Sequence, residues 1–186
     1  MKSQTQQTPL MAQYYKVKQA HPDTILLFRV GDFFETFEDD AKLASKVLGI
    51  TLTKRSNGYA GDTPLAGFPH HAIDTYLPKL VRAGYRVAVC EQMENPKFAK
   101  GIVKREVVEV VTPGVTLSDK LLDHKKNNYL LAISILDQTC GLSFCDISTG
   151  EFYVFEIPLS QLGEQIESIN PSEFLIPKRD KEFLGK

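Results

Sequence analysis

Ile25-Leu26-Leu27-Phe28-Arg29-Val30-Gly31-Asp32-Phe33-Phe34-Glu35-Thr36-Phe37 is the stretch whose reading decides the architecture. The apolar run Ile25-Leu26-Leu27-Phe28 reads as a buried strand that enters a turn at Gly31-Asp32. If the residues after the turn are extended, their side chains alternate. Phe33 and Glu35 then point to one side, and Phe34 and Thr36 to the other. Two readings of the pair stand side by side. In one, an aromatic ring fills a core and Glu35 is solvated. In the other, a rigid ring beside a carboxylate wedges between base pairs while its polar neighbour tests a base edge. Minor-groove proteins insert Phe, Leu or Met in this way and kink the duplex.

Outward from this stretch, helices and strands are mixed. Thr8-Pro9 supplies a capping hydroxyl followed by proline at the first helical position. Leu10, Met11, Tyr14, Tyr15 and Val17 give that helix an apolar face up to His21-Pro22. Asp39-Asp40 open a second helix, where acids suit the positive N-terminus, and Gly49 closes it. A short strand is expected over 50–53, and a mobile, turn-rich loop over 56–63. A third helix is expected from Pro69, with Ile73, Tyr76, Leu77 and Leu80 at helical spacing and Gly84 as its stop. Val87 and Val89 lie in a following strand, and Val107-Val108-Glu109-Val110-Val111 in another. Pro113-Gly114 ends that sheet. This mixture predicts an α/β domain around a mixed sheet over 1–115, then a polar linker over 116–127. Beyond it, 129–136, 141–147 and 151–157 form an antiparallel meander with short connections. Ser160 caps a helix with Leu162, Ile166 and Ile169 inward, and Phe174-Leu175-Ile176 is one more strand.

Composition narrows the class. The 186 residues are 42% hydrophobic and 24% charged, which is ordinary for a globular chain. No apolar run approaches the ~18 residues of a membrane span. The first nine residues are polar and hold no signal-peptide core. Cys90, Cys140 and Cys145 lack a Cys-x-x-Cys spacing, so reduced cytoplasmic thiols are expected rather than a disulfide framework or zinc site. The net charge is −1, but it is uneven. Residues 1–118 hold 15 Lys+Arg against 12 Asp+Glu, a net +3, and residues 119–186 hold 7 against 11, a net −4. The basic excess accompanies the Phe33 stretch.

Several blocks follow one another in order. Gly31-Asp32-Phe33-Phe34-Glu35-Thr36-Phe37-Glu38-Asp39-Asp40-Ala41 comes first, then Leu52-Thr53-Lys54-Arg55. Pro64-Leu65-Ala66-Gly67-Phe68-Pro69-His70-His71-Ala72, Val89-Cys90-Glu91-Gln92 and Val111-Thr112-Pro113-Gly114 complete the set. This ordered set resembles the N-terminal part of the MutS family of bacterial mismatch-recognition proteins, from about Thr8 onward. The resemblance implies a mismatch-binding domain, followed over 128–186 by the first half of an RNase H-like connector domain. It implies that Phe33 stacks on a base and that Glu35 shares a hydrogen bond with that base. The implied ligand is double-stranded DNA carrying mismatches or small insertion/deletion loops. The implied protein partners are a second subunit of the same kind and the MutL partner. ATP and Mg²⁺ belong, by the same resemblance, to a C-terminal ATPase that this chain does not contain. No cofactor is therefore expected here, nor any membrane, and the location implied is cytoplasmic, with nucleoid association when DNA is bound.

Other residues are assigned by chemistry. Lys54 and Arg55 end a strand and suit phosphate contact, which positions without specifying; a solvated basic pair is the competing reading. Leu65 either reaches the minor groove beside the wedge or fills the core. Phe37 and Phe68 are read as core. The neighbours His70 and His71 lack the same-face spacing of a helical metal pair. No Gly-x-x-x-x-Gly-Lys-Ser/Thr loop occurs. Two rival functions remain open. Asp137, Asp146 and Glu151 near strand ends suggest an RNase H-like, metal-dependent nuclease. A half-domain with an open sheet edge suggests a protein-interaction module.

Overall fold

The computed structural model describes residues 7–96, 98–99, 101–115 and 127–183. The chain divides into two compact units, Met1–Val111 and Thr112–Lys186. The linker expected over 116–127 lies outside the described residues except for Asn127.

In the first unit, α1 (Pro9–Ala20) starts where the sequence places it. Thr8 caps it, with its hydroxyl oxygen accepting from the Met11 N–H at 3.4 Å. The strands β1 (Ile25–Val30) and β2 (Phe33–Phe37) form a hairpin across Gly31-Asp32. Gly31 takes φ 59 at the first of the two loop residues. Primed hairpin turns require that conformation, and glycine adopts it without a steric penalty. The helix α2 (Glu38–Leu48) follows directly and ends at Gly49 with φ 68.

Next come β3 (Thr53–Ser56), β4 (Asp62–Pro69), α3 (Ile73–Arg82), β5 (Val87–Gln92) and β6 (Arg105–Val111). The sheet order is β3-β4-β2-β1-β5-β6, with β1 and β5 parallel and the other pairs antiparallel. Met11 and Tyr14 of α1 pack on one face, against Leu26, Phe28, Phe37, Ala88 and Cys90. The other face carries α2 and α3, with Phe34 and Phe68 buried there and Tyr76 stacked on Phe68 at 4.6 Å.

Asp40 joins three elements. Its buried carboxylate accepts from the Leu26 N–H at 3.0 Å, from Lys18 Nζ at 2.9 Å and from the Tyr14 hydroxyl at 3.4 Å. A carboxylate taken out of water needs such a set of partners.

Three expectations in this unit need correction. The strand expected at 50–53 begins instead at Thr53, because its partner is the 62–65 segment of β4. The segment 56–63 is a tied hairpin loop, with buried Asn57 accepting from the Thr8 N–H at 3.1 Å and donating its own backbone N–H to Gly61 O at 2.8 Å. Pro69 ends β4, and α3 begins only at Ile73 after a 3-10 turn.

The second unit holds β7 (Tyr129–Leu136), β8 (Thr139–Asp146), β9 (Glu151–Pro158), α4 (Leu162–Ile169) and β10 (Glu173–Leu175). The order is β10-β7-β8-β9, a meander plus one strand parallel to β7. Leu162, Ile166 and Ile169 pack on Leu131, Ile133, Cys140 and Leu142. Ser160 does not cap α4; it lies in a 3-10 turn, and the helix starts two residues later with no side-chain cap.

Phe34→Ala empties a fully buried site and should lower stability by about 3–5 kcal/mol in urea unfolding. Phe33→Ala should change it by no more than about 0.5 kcal/mol, as at exposed positions generally. The opposite ranking would mean that the hairpin register is wrong.

Candidate nucleic-acid interface

The pairing of β2 sets the site. Phe33 lies opposite Val30 and Pro69, and Glu35 opposite Phe28 and Gly67. Burial alternates as the sequence predicts. Phe33 is 47% exposed, Phe34 is 1% exposed, and Thr36 is equally buried. Phe37 shares the Phe33 face, but there α1 covers it. Phe33 therefore lies on the same face as Phe37, with Glu35 between them, outside the core that α1 covers.

Glu35 sits behind it and is largely buried, with 16% of its side chain exposed. Arg55 reaches across β4 from β3 and donates from Nη1 to Glu35 Oε2. Gly67 lies between the two strands, opposite Glu35. A Cβ there would come within 2.8 Å of Phe34 O and 3.5 Å of Glu35 Cγ. Glycine within a strand marks this kind of close approach. Burial raises the Glu35 pKa above its ordinary 4.5, against the opposing pull of Arg55 and, more weakly, of Arg105. The ion pair does not compensate fully for desolvation.

Leu65 faces the same side and packs at the margin of the α1 core, so its side chain is already partly engaged. Lys54 alternates to the opposite side of edge strand β3 and is exposed there. The structure thus brings Phe33, Glu35, Arg55 and Leu65 onto one face and sets Lys54 apart from them.

Sequence reasoning missed the polar residues beneath the hairpin. Arg105 is buried at 8% exposure and donates from Nε to Arg29 O at 2.5 Å. Its Nη1 donates to Gln13 Oε1 and Val103 O, both at 2.9 Å. Desolvation lowers its pKa from the usual guanidinium value. His70, for which the sequence offered only the argument against a helical metal pair, donates its backbone N–H to Asp32 O at 2.8 Å.

The three carboxylates of the nuclease alternative do not converge as a set: Glu151 pairs with Asp146 across β8 and β9, and Asp137 lies at the far end of β8. Asp137 follows β7 at one end of β8, and Asp146 closes the other end. An eight-residue strand separates them by about 25 Å at its usual rise. Asp146 is buried and accepts from the Asn128 N–H, the Ser148 N–H and the Ser148 hydroxyl at 2.6–2.9 Å, the pattern of a turn-forming aspartate. Among the described residues no group of three or more His, Cys, Asp or Glu is placed to hold a metal ion.

The first unit is a mixed sheet with helices on both faces that carries an exposed aromatic ring at a hairpin, with a largely buried carboxylate behind it. Comparison with known proteins gives its family. Residues 8–120 match the model of MutS domain I, and residues 128–184 match that of MutS domain II. The chain belongs to the MutS family. It is 54% identical over 180 residues to the DNA mismatch repair protein MutS of Chlorobaculum parvum, covering 95% of this chain and 20% of that protein. It is 58% identical over 174 residues to that of Cytophaga hutchinsonii and 55% identical over 175 residues to that of Flavobacterium psychrophilum, each covering 94% of this chain and 20% of the relative. The chain spans about a fifth of the length of these curated relatives.

The raised Glu35 pKa has a defined effect on stability. A carboxyl group whose folded pKa exceeds its unfolded one adds stability below about 4.5, and that contribution is lost as pH rises through the folded value. Glu35→Gln, which stays neutral, should melt at higher temperature than the parent at pH 7. The gap should close as pH falls below 4.5. Thermal unfolding across pH 3–8 measures it, and an unchanged or lower melting temperature at pH 7 would contradict the assignment.

Proposed function

We propose that this chain recognises mismatched or unpaired bases in double-stranded DNA. Phe33 enters the minor groove and kinks the duplex, and Glu35 reads the base on which Phe33 stacks. One observation carries this reading: the two adjacent phenylalanines are split, one buried in the core and one held out beside a desolvated carboxylate. The match to MutS domain I supports it. Mismatched steps stack and pair less well, so unstacking them costs less than the few kcal/mol a sound step demands. Base–aromatic stacking returns about 1–3 kcal/mol and accepts any base, which suits a sensor of many different mismatches.

Glu35 stands in the negative field of DNA phosphates. Burial raises its pKa and the phosphate field pushes it the same way, which favours the protonated form that can donate a hydrogen bond. Arg55 then exchanges Glu35 for a phosphate oxygen, Leu65 lines the groove at the edge of the core, and Lys54 meets the backbone from the edge strand. Residues 1–115 form the recognition domain, and 128–186 the first half of a connector. The order of the second sheet, with the fourth strand beside the first and parallel to it, supports an RNase H-like architecture for that half.

A second subunit and the MutL protein are the proposed protein partners, and the proposed location is the bacterial cytoplasm, on the nucleoid when DNA is bound. ATP and Mg²⁺ act outside these two domains.

Titration against matched and single-mismatch duplexes at two salt concentrations tests the proposal. The mismatched duplex should bind more tightly at both. Arg55→Ala should weaken both duplexes about equally and reduce the salt slope by about one unit. Equal affinity for the two duplexes would overturn the reading, and an Arg55 effect confined to one mismatch would make that residue a base reader.

A further inference from the structure

We propose that Arg29, Gln92, Arg105 and His70 clamp the Gly31-Asp32 turn from both faces of the sheet, and that mismatch selectivity depends on this rigid mounting of Phe33. The inference rests on the wedge reading of Phe33 given above.

The turn is exposed at both Gly31 and Asp32. Around the position a Gly31 Cβ would occupy, nothing lies within 4 Å. Its backbone is instead held by polar groups. The Gly31 C=O accepts from Arg29 Nε at 2.6 Å. With the Gln92 amide turned so that its oxygen faces these two donors, the orientation that satisfies both ends of the amide, that oxygen accepts from the Gly31 N–H at 3.2 Å and from Arg105 Nη2 at 3.1 Å. The Asp32 C=O meets the His70 N–H at 2.8 Å and His70 Nδ1 at 3.1 Å.

Each holder is itself fixed. Arg105 lies 5.1 Å over the Phe28 ring, on the α1 side of the sheet. Arg29 lies 5.7 Å over the Phe34 ring, on the opposite side, with Nη1 3.3 Å from both Glu91 carboxylate oxygens. Both guanidinium groups are committed inward. They serve as positioning residues, in contrast to Arg55, whose side chain remains one-third exposed. A site holds its geometry when its supporting side chains are locked by packing and by further hydrogen bonds.

Rigidity matters to discrimination for a mechanical reason. A fixed ring transmits binding energy into unstacking the duplex, and the cost of unstacking differs between sound and defective steps. A yielding ring tilts instead. Both duplexes are then held without a kink, and the difference between their affinities shrinks.

The test uses Gln92→Ala in the whole chain, with Gln92→Glu as the conservative variant. Glutamate keeps one acceptor for both Arg105 and the Gly31 N–H. Three quantities are measured: amide exchange at Gly31, thermal unfolding, and the ratio of affinities for single-mismatch and matched duplexes. Gln92→Ala should speed Gly31 exchange about tenfold and lower the affinity ratio by about the same factor, the effect of one net hydrogen bond. Gln92→Glu should restore both while weakening the two duplexes equally. A normal ratio despite faster Gly31 exchange would overturn the clamp; if Phe33→Ala abolishes the ratio in the same assay, the wedge reading stands without it. A ratio left intact by Phe33→Ala removes the wedge, and the clamp with it. Equal loss of affinity on both duplexes in parallel with a large fall in melting temperature would make Gln92 a purely structural residue and also overturn the inference.

Discussion

Three residue pairs, Val30 with Phe33, Arg29 with Phe34 and Phe28 with Glu35, set the register of the β1–β2 hairpin, and the remaining geometry of the site follows from them. A slip of one residue would exchange the faces of every β2 side chain. Phe33 would then be driven under the helices, and Phe34 turned outward. Several contacts oppose such a slip. Phe34 packs 6.1 Å from Phe68, and Phe37 packs 4.8 Å from Tyr14 on the other side of the sheet. Gly31 closes the turn in two residues, which leaves no slack for a shift. The exposed ring is a consequence of burying its neighbours.

The two inward-set carboxylates of this unit show how differently the fold treats charge. Asp40 has three donors around it, from α1 and β1, and acts as a joint between elements. Glu35 is held by a single ion pair, with Arg55, and burial outweighs that pair in setting its pKa. The same carboxylate would repel the phosphates of any duplex that does not admit the wedge, and specificity is a difference between two affinities.

Much of this was legible in the sequence where a local rule applied. Thr8-Pro9 marked the start of α1, Gly49 its successor's end, and the alternation at Phe33-Phe34 the split of the two rings. The meander was legible because its strands are long and its connections short. β4 was not, because Pro64, Gly67 and Pro69 interrupt the pattern of a strand. They are tolerated there for separate reasons, Gly67 by the close approach of Phe34 O and Pro69 by its place at the strand end. The clamp had no local signature. Arg105 meets Arg29 across 76 residues of sequence and Gln13 across 92, so only the fold brings them together. Ser160 shows the opposite error, since a good capping residue stands where a 3-10 turn delays the helix.

The central claim is that Phe33 stacks on a base in mismatched DNA. The chain contains no tryptophan, so Phe33→Trp places a single indole fluorophore at the tip of the hairpin. Its emission should be quenched on a single-mismatch duplex, at concentrations where fluorescence anisotropy of labelled DNA reports binding, and should change little on matched duplex. Emission that stays unchanged while the mismatched duplex is bound would place the ring outside the base stack and contradict the account.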